Sequence, residues 1–170
     1  MKVHDVMSIN VVTVHIDIPF RELWKTIFRH HINAVPVVDK KKHLLGIITK
    51  DDIMQKLYPD YADFIEDFFS VVDYEDMEKR IDELGSMKAK DFMCKHVIFT
   101  REDTPVMRAL SRMITRSVNQ LPVLRRSNDT VIGMVTKGDI FSSMFKKHLS
   151  HRGSQSYKKV KSKVKRKSSR

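Results

Sequence analysis

The chain has 170 residues, 41% apolar and 31% charged, enough for one good core or two small linked ones. No apolar run approaches the roughly 18 residues that span a bilayer, the first residues lack a signal-peptide core, and the single cysteine, Cys94, excludes an internal disulfide and argues against a thiolate zinc site. The formal charge of +11 is one-sided: 11 of the 32 Lys and Arg lie at 146–170 with no acid among them, leaving 21 residues of each sign before that point. The expectation is a soluble, cytoplasmic protein with a neutral body and a basic tail.

In chain order, Val3 to Met7 reads as an entry segment and Val11-Val12-Thr13-Val14 as an extended apolar run. Asp17-Ile18-Pro19 suits a helix start with proline in the first turn. Leu23, Trp24, Ile27 and Phe28 then form one stripe at helical spacing. Ala34 to Val38 and Leu44 to Ile48 read as strands covered on both faces, since neither alternates with polar residues. A second helix should start near Thr49 and carry Ile53, Met54 and Leu57. Tyr58-Pro59-Asp60 breaks it. Two helices then follow, one with Tyr61, Phe64, Ile65, Phe68 and Phe69, the other an acidic stretch from Asp73 to Leu84 ended by Gly85-Ser86. This connector either packs on its own domain or meets a partner, for which its aromatics are suited.

The same order then returns. Val97-Ile98-Phe99 is a strand and Asp103-Thr104-Pro105 a helix start. Val106, Leu110, Met113 and Ile114 form the stripe. Leu121 to Leu124 and Val131 to Val135 are strands, and a last helix runs from Thr136 through Phe145. Each half reads β-α-β-β-α. Met7 and Met93, Pro19 and Pro105, and Pro36 and Pro122 are 86 residues apart, whereas Gly46 and Gly133, like Asp52 and Asp139, are 87 apart. The slip falls in the polar connections at 39–43 and 125–130, where an insertion is tolerated. Two long copies imply a pair of units packed on each other. The expected division is 1–57 for the first unit, 58–88 for the connector, 89–147 for the second unit and 148–170 for a disordered tail.

Gly46-Ile47-Ile48-Thr49-Lys50-Asp51-Asp52-Ile53 and Gly133-Met134-Val135-Thr136-Lys137-Gly138-Asp139-Ile140, with the landmarks upstream of each, make the chain resemble a tandem CBS-domain, or Bateman, module. The resemblance covers residues 1–57 and 87–147. It implies an α/β (α+β) fold of two pseudo-twofold β-α-β-β-α units. It also implies two inter-unit clefts for AMP, ADP, ATP or S-adenosylmethionine, and regulation of a partner by occupancy. Carried over residue by residue, Thr136, Gly138 and Asp139 would work with Val12, Asn33 and Ala34. Thr49 and Asp52 would work with Ile98, Asn119 and Gln120. Pairs of this family commonly associate further, which implies a homodimer.

The chemistry is suitable. An aspartate accepts from both ribose hydroxyls, a threonine at a helix N-terminus suits a phosphate, and a glycine before the strand permits close backbone approach. Thr-x-x-Asp is also nearly a capping box, which needs no ligand. Asp51 stands where the other copy has Gly138, so the Gly138-Asp139 cleft is the better anion site, by about 1 kcal/mol or more.

Elsewhere, Asp5 and Asp91 should tie down the entry segments, and His30-His31 should close the first helix. No metal site, catalytic triad, paired carboxylates or P-loop is read, and no enzyme is expected. The alternative is a nucleic-acid or polyanion-binding protein acting through the lysines of residues 158–170, with the paired units as a dimer scaffold. Any regulated partner is expected to be a separate chain.

Overall fold

The computed structural model describes residues 1–57 and 74–146. The expected aromatic helix over 61–69 and the basic tail lie outside the described residues. The first unit contains β1 (Val14–His15), α1 (Phe20–Arg29), β2 (Ala34–Val38), β3 (Leu44–Thr49) and α2 (Lys50–Leu57), and α3 (Tyr74–Gly85) follows. The second contains β4 (Thr100–Arg101), α4 (Val106–Thr115), β5 (Gln120–Leu124), β6 (Val131–Thr136) and a helix over 137–146, here α5. Among the described residues no helix is long and apolar enough to cross a membrane.

Each unit has a three-stranded sheet with its second strand central, parallel to the first and antiparallel to the third. The apolar runs at 34–38 and 121–124 are buried throughout, as their lack of alternation requires. The first strands are shorter than expected. β1 reaches only Val37 and Val38, and β4 only Val123 and Leu124. Pro36 and Pro122 therefore have a strand neighbour on one side alone, where proline is tolerated. Pro19 and Pro105 precede the helices as N-caps instead of lying in the first turn.

Val11–Thr13 and Val97–Phe99 stay out of the strands because the segments before them cross to the other unit. Ser8 exchanges backbone hydrogen bonds of 2.9 and 3.0 Å with Met134 on β6, and Cys94 exchanges bonds of 2.9 and 3.0 Å with Ile47 on β3. The packing is exchanged too. Val3, in the short 3-10 turn Val3–Asp5, belongs to the core of α4, β5, β6 and α5 with Leu110, Met113 and Ile140. Leu84, Ala89 and Phe92 belong to the core of α1, β2, β3 and α2 with Leu23, Ile27 and Ile53. The sequence repeat and the hydrophobic cores thus divide the chain at different places.

Asp5 and Asp91 hold these crossing turns, as expected, by accepting from the N–H of Lys2 at 2.7 Å and of Lys88 at 2.8 Å. A third apolar cluster, Val38, Leu124 and Val131 with Val11, Leu44 and Phe99, joins the units. His30 caps the end of α1, and His31 takes a left-handed φ of 51°, the usual way for a helix to stop.

Candidate functional site

At the end of each third strand the chain turns directly into a helix, and the same three hydrogen bonds secure both turns. The Thr49 N–H and Oγ1–H both donate to Asp52 Oδ2 at 2.6 Å, and the Asp52 N–H donates back to Thr49 Oγ1 at 3.1 Å. The Thr136–Asp139 turn has the same bonds at 2.8, 2.8 and 3.0 Å. These are reciprocal caps, so a structural role for Thr-x-x-Asp is real. It occupies Oδ2 of each aspartate and leaves Oδ1, on a half-exposed side chain, to accept from something else.

Asn33 and Asn119 stand against these turns through the backbone. The Lys50 N–H donates to the Asn33 carbonyl and the Lys137 N–H to the Asn119 carbonyl, both at 3.1 Å. Ala34 pairs with Thr49, and Gln120 with Thr136. These bonds run within each unit, whereas the resemblance joins Asn33 and Ala34 to Thr136 and Asp139, and Asn119 and Gln120 to Thr49 and Asp52, across units. The crossing between units is made by the lead segments. Ser8, ahead of Val12, pairs two residues before Thr136, and Cys94, ahead of Ile98, pairs two residues before Thr49. Val12 and Ile98 themselves are half-buried against the cores of their own units.

Gly46 and Gly133 lie inside β3 and β6, and the space beside them is filled by protein. A Cβ on Gly46 would lie 2.7 Å from Met93 Sδ. One on Gly133 would lie 2.7 Å from the Ser8 carbonyl oxygen and 2.9 Å from Met7 Sδ. The glycines therefore admit the crossing segment of the other unit, which also explains why Met7 and Met93 match. The close approach is that of chain to chain.

The sequence reading missed the cation in each motif. Lys137 Nζ donates to Asn119 Oδ1 at 3.1 Å, while Lys50 Nζ lies 5.8 Å from the centre of the Phe28 ring. One lysine is held at the polar turn and the other is drawn over an aromatic face. Asp51 is exposed on the first turn of α2, where it adds a negative charge that the other copy lacks. A Cβ on Gly138 would meet only Thr136 Oγ1, at 3.5 Å, an ordinary contact. The glycine is not required by the backbone there.

A separate inter-unit cavity of about 480 Å³ lies at the opposite end of β3, where His43, Leu44 and Leu45 face Lys95, Val97 and Phe99. Another, of about 610 Å³, is lined by Arg101, Asp103, Thr104, Pro105, Arg108 and Arg126. The Arg126 guanidinium beside Asp103 holds that carboxyl below the usual range. Among the described residues, no three His, Cys, Asp or Glu side chains gather as metal ligands.

Known proteins resemble this chain in sequence and fold. A CBS domain model matches residues 3–59 and 89–146. A CBS domain-containing protein of Dictyostelium discoideum is 29% identical over 144 residues, covering 85% of this chain and 91% of that protein. The L-aspartate semialdehyde sulfurtransferase of Methanocaldococcus jannaschii is 30% identical over 141 residues, 81% of this chain, which spans only 22% of the enzyme's length. Among solved structures, a CBS domain pair in complex with 5′-methylthioadenosine and S-adenosyl-L-methionine aligns with a TM-score of 0.61 and 26% identity, over 86% of this chain and 98% of that one.

Proposed function

The chain belongs to the CBS-domain family, and from that premise we propose that it is a regulatory pair, working as a cytoplasmic homodimer, that binds an adenosine-type ligand between its units and signals occupancy to a separate protein. The observation that carries this reading is the duplicated turn. Two Asp side chains are each fixed through Oδ2 and open at Oδ1, on strands that the other unit's lead segment crosses. An oriented carboxylate with a free oxygen is what a ribose diol requires.

The candidate ligands are AMP, ADP, ATP and S-adenosylmethionine. The cleft assigned to Thr136, Gly138 and Asp139 with Val12, Asn33 and Ala34 has no acid at position 138 and suits phosphate. The cleft assigned to Thr49 and Asp52 with Ile98, Asn119 and Gln120 carries Asp51 and suits a ligand of lower negative charge. The similar CBS pair in complex with 5′-methylthioadenosine and S-adenosyl-L-methionine supports a phosphate-free adenosyl compound there.

Calorimetry of the full chain against the four ligands tests the reading. Saturable binding of at least one is expected, weakened about 100-fold by Asp139→Asn or Asp52→Asn, as for a lost charged hydrogen-bonding pair of about 3 kcal/mol. Thermal unfolding of each variant separates a lost ligand contact from a lost cap. Absence of heat with all four would leave Thr-x-x-Asp as a cap alone.

A second reading rests on the one-signed charge of residues 146–170. That run would bind nucleic acid or another polyanion in a salt-dependent way. Deleting 150–170 should abolish such binding and leave adenosine-ligand binding unchanged.

A further inference from the structure

The cavity of about 610 Å³ in the second unit is strongly basic. Arg101 ends β4, Arg108 stands in the first turn of α4, and Arg126 lies just beyond β5, and all three line it with Asp103, Thr104 and Pro105. Three guanidinium groups thus face one carboxylate. Lys2, whose backbone bridges to Pro105, adds a further cation close enough to act on Asp103. Pairing within the protein uses only part of this charge. Asp103 is held by Arg126, and Asp129 by Arg101. The Arg108 side chain has neither an acid nor a hydrogen-bond acceptor among the described residues.

The first repeat serves as an internal control. Its matching positions are His15, Asp17, Glu22 and Lys40, two acids against one lysine and a histidine. Glu22 there is matched by Lys25 at 2.9 Å, so the site of Arg108 is filled by a satisfied acid. That acid also suits the first turn of a helix, whereas α4 has an arginine there and no acid in that turn. The second copy has therefore gathered guanidinium groups where the fold itself asks for none. A departure from local rules of this kind belongs to a functional position.

The donor set fits phosphate. A guanidinium fork meets two phosphate oxygens at once. Thr104 Oγ1 accepts from the Arg101 N–H at 3.3 Å and keeps its own proton to donate. A volume of several hundred Å³ holds a small molecule and not merely an ion. The cavity is also apart from the clefts, because Arg126 follows the end of β5 opposite to Gln120, which pairs with Thr136. We propose that this cavity is a separate ligand site for a small phosphorylated compound, whose phosphate sits between Arg108, Arg101 and Arg126. It goes beyond the reading under Proposed function and is independent of what the clefts bind.

Calorimetry of the full chain tests it with inorganic pyrophosphate and glucose 6-phosphate, an anhydride and an ester with the same recognised group. At least one should bind saturably, with one site per chain. Arg108→Gln should weaken that binding about 10-fold or more, as for one lost charged hydrogen-bonding partner, and Arg108→Glu should abolish it. Arg116→Gln, exposed at the far end of α4, should leave it unchanged. The basic residues 146–170 are present in every variant, so their general attraction for anions cancels in the comparison. Thermal unfolding in phosphate-free buffer checks folding. Arg108→Gln should be at least as stable as wild type there, and the ligand should raise the melting temperature of wild type more than that of the variant. Binding of neither compound would overturn the site. So would binding that Arg108→Gln leaves intact, or that Arg116→Gln weakens equally, since the anion would then be held by the clefts or the tail.

Discussion

Val14 and Thr100 fill the same place in the two units, as do Leu57 and Met144, and Asp51 and Gly138. In the first unit the three positions are an apolar core residue, a covered helix residue and an added acid. In the second they are a buried hydroxyl, an uncovered methionine and no acid. The backbone bonds around them are nearly superimposable: parallel then antiparallel strand pairing, a lead segment from the other unit, and a reciprocal Thr–Asp cap. What differs is solvation and charge. The pair keeps one frame twice and varies the side chains set on it.

The largest expected effect tests the shared frame. Gly133→Ala should destabilise the protein by about 2–3 kcal/mol, because its Cβ would press on the Ser8 carbonyl oxygen at 2.7 Å. That oxygen already accepts from Met134, so it cannot move without breaking the crossing. Gly46→Ala should cost less, about 1–2 kcal/mol, because its nearest neighbours belong to the Met93 side chain and a thioether adjusts. Denaturant unfolding with a second substitution discriminates the two. Met93→Ala should recover part of the Gly46→Ala loss by returning space, whereas Met7→Ala should recover little of the Gly133→Ala loss. Equal costs and equal rescue would mean that the crossings are interchangeable.

These crossings also mark how far the sequence could be read. The repeat, the element order, both Thr-x-x-Asp turns and the ties made by Asp5 and Asp91 were legible, because each rests on residues close in sequence with characteristic spacing. The destination of Val3 in the second core, and of Ala89 and Phe92 in the first, was not. Periodicity states that a residue is buried and is silent on which neighbour buries it. The role of Gly46 and Gly133 was missed for the same reason, since the side chains that fill their space come from segments more than forty residues away. The matching methionines were the available signal: a methionine and a glycine repeating together suggest a side chain fitted to a gap. The first strands came out short because the lead segments pair with the other unit at Ser8 and Cys94 and reach their own sheets only at Val14 and Thr100.

The next effect concerns the buried hydroxyl. Thr100 is fully buried, and its Oγ1 has no hydrogen-bond partner. An unpaired buried hydroxyl costs about 1–3 kcal/mol, and valine has nearly the same shape. Thr100→Val should therefore raise stability by about 1–2 kcal/mol, and Val14→Thr should lower it by a similar amount. Both are read from the denaturant midpoint at unchanged slope. If Thr100→Val were destabilising, the hydroxyl would have a partner that the folded core supplies in solution, and the two cores would differ by a polar contact as well as by a side chain.

The smallest effect bears most directly on function. Gly138→Asp writes the first unit's acid into the second. The backbone permits it, because a Cβ at 138 meets only Thr136 Oγ1 at 3.5 Å. A carboxylate roughly 4–5 Å from a bound phosphate, under water-like screening, weakens binding by about 1 kcal/mol for the nearest phosphate charge, a factor of about five. The loss should therefore grow from AMP to ATP, and it should shrink as salt is added. S-adenosylmethionine, which carries no phosphate, should be spared. Asp51→Gly makes the reverse exchange and should raise phosphate-ligand affinity in the first unit's cleft by a similar factor. If Gly138→Asp weakened S-adenosylmethionine as much as ATP, the acid would act through the shape of the turn and not through charge. Ligand choice would then have to be sought in Asn33-Ala34 against Asn119-Gln120, and in the different tethering of Lys50 and Lys137.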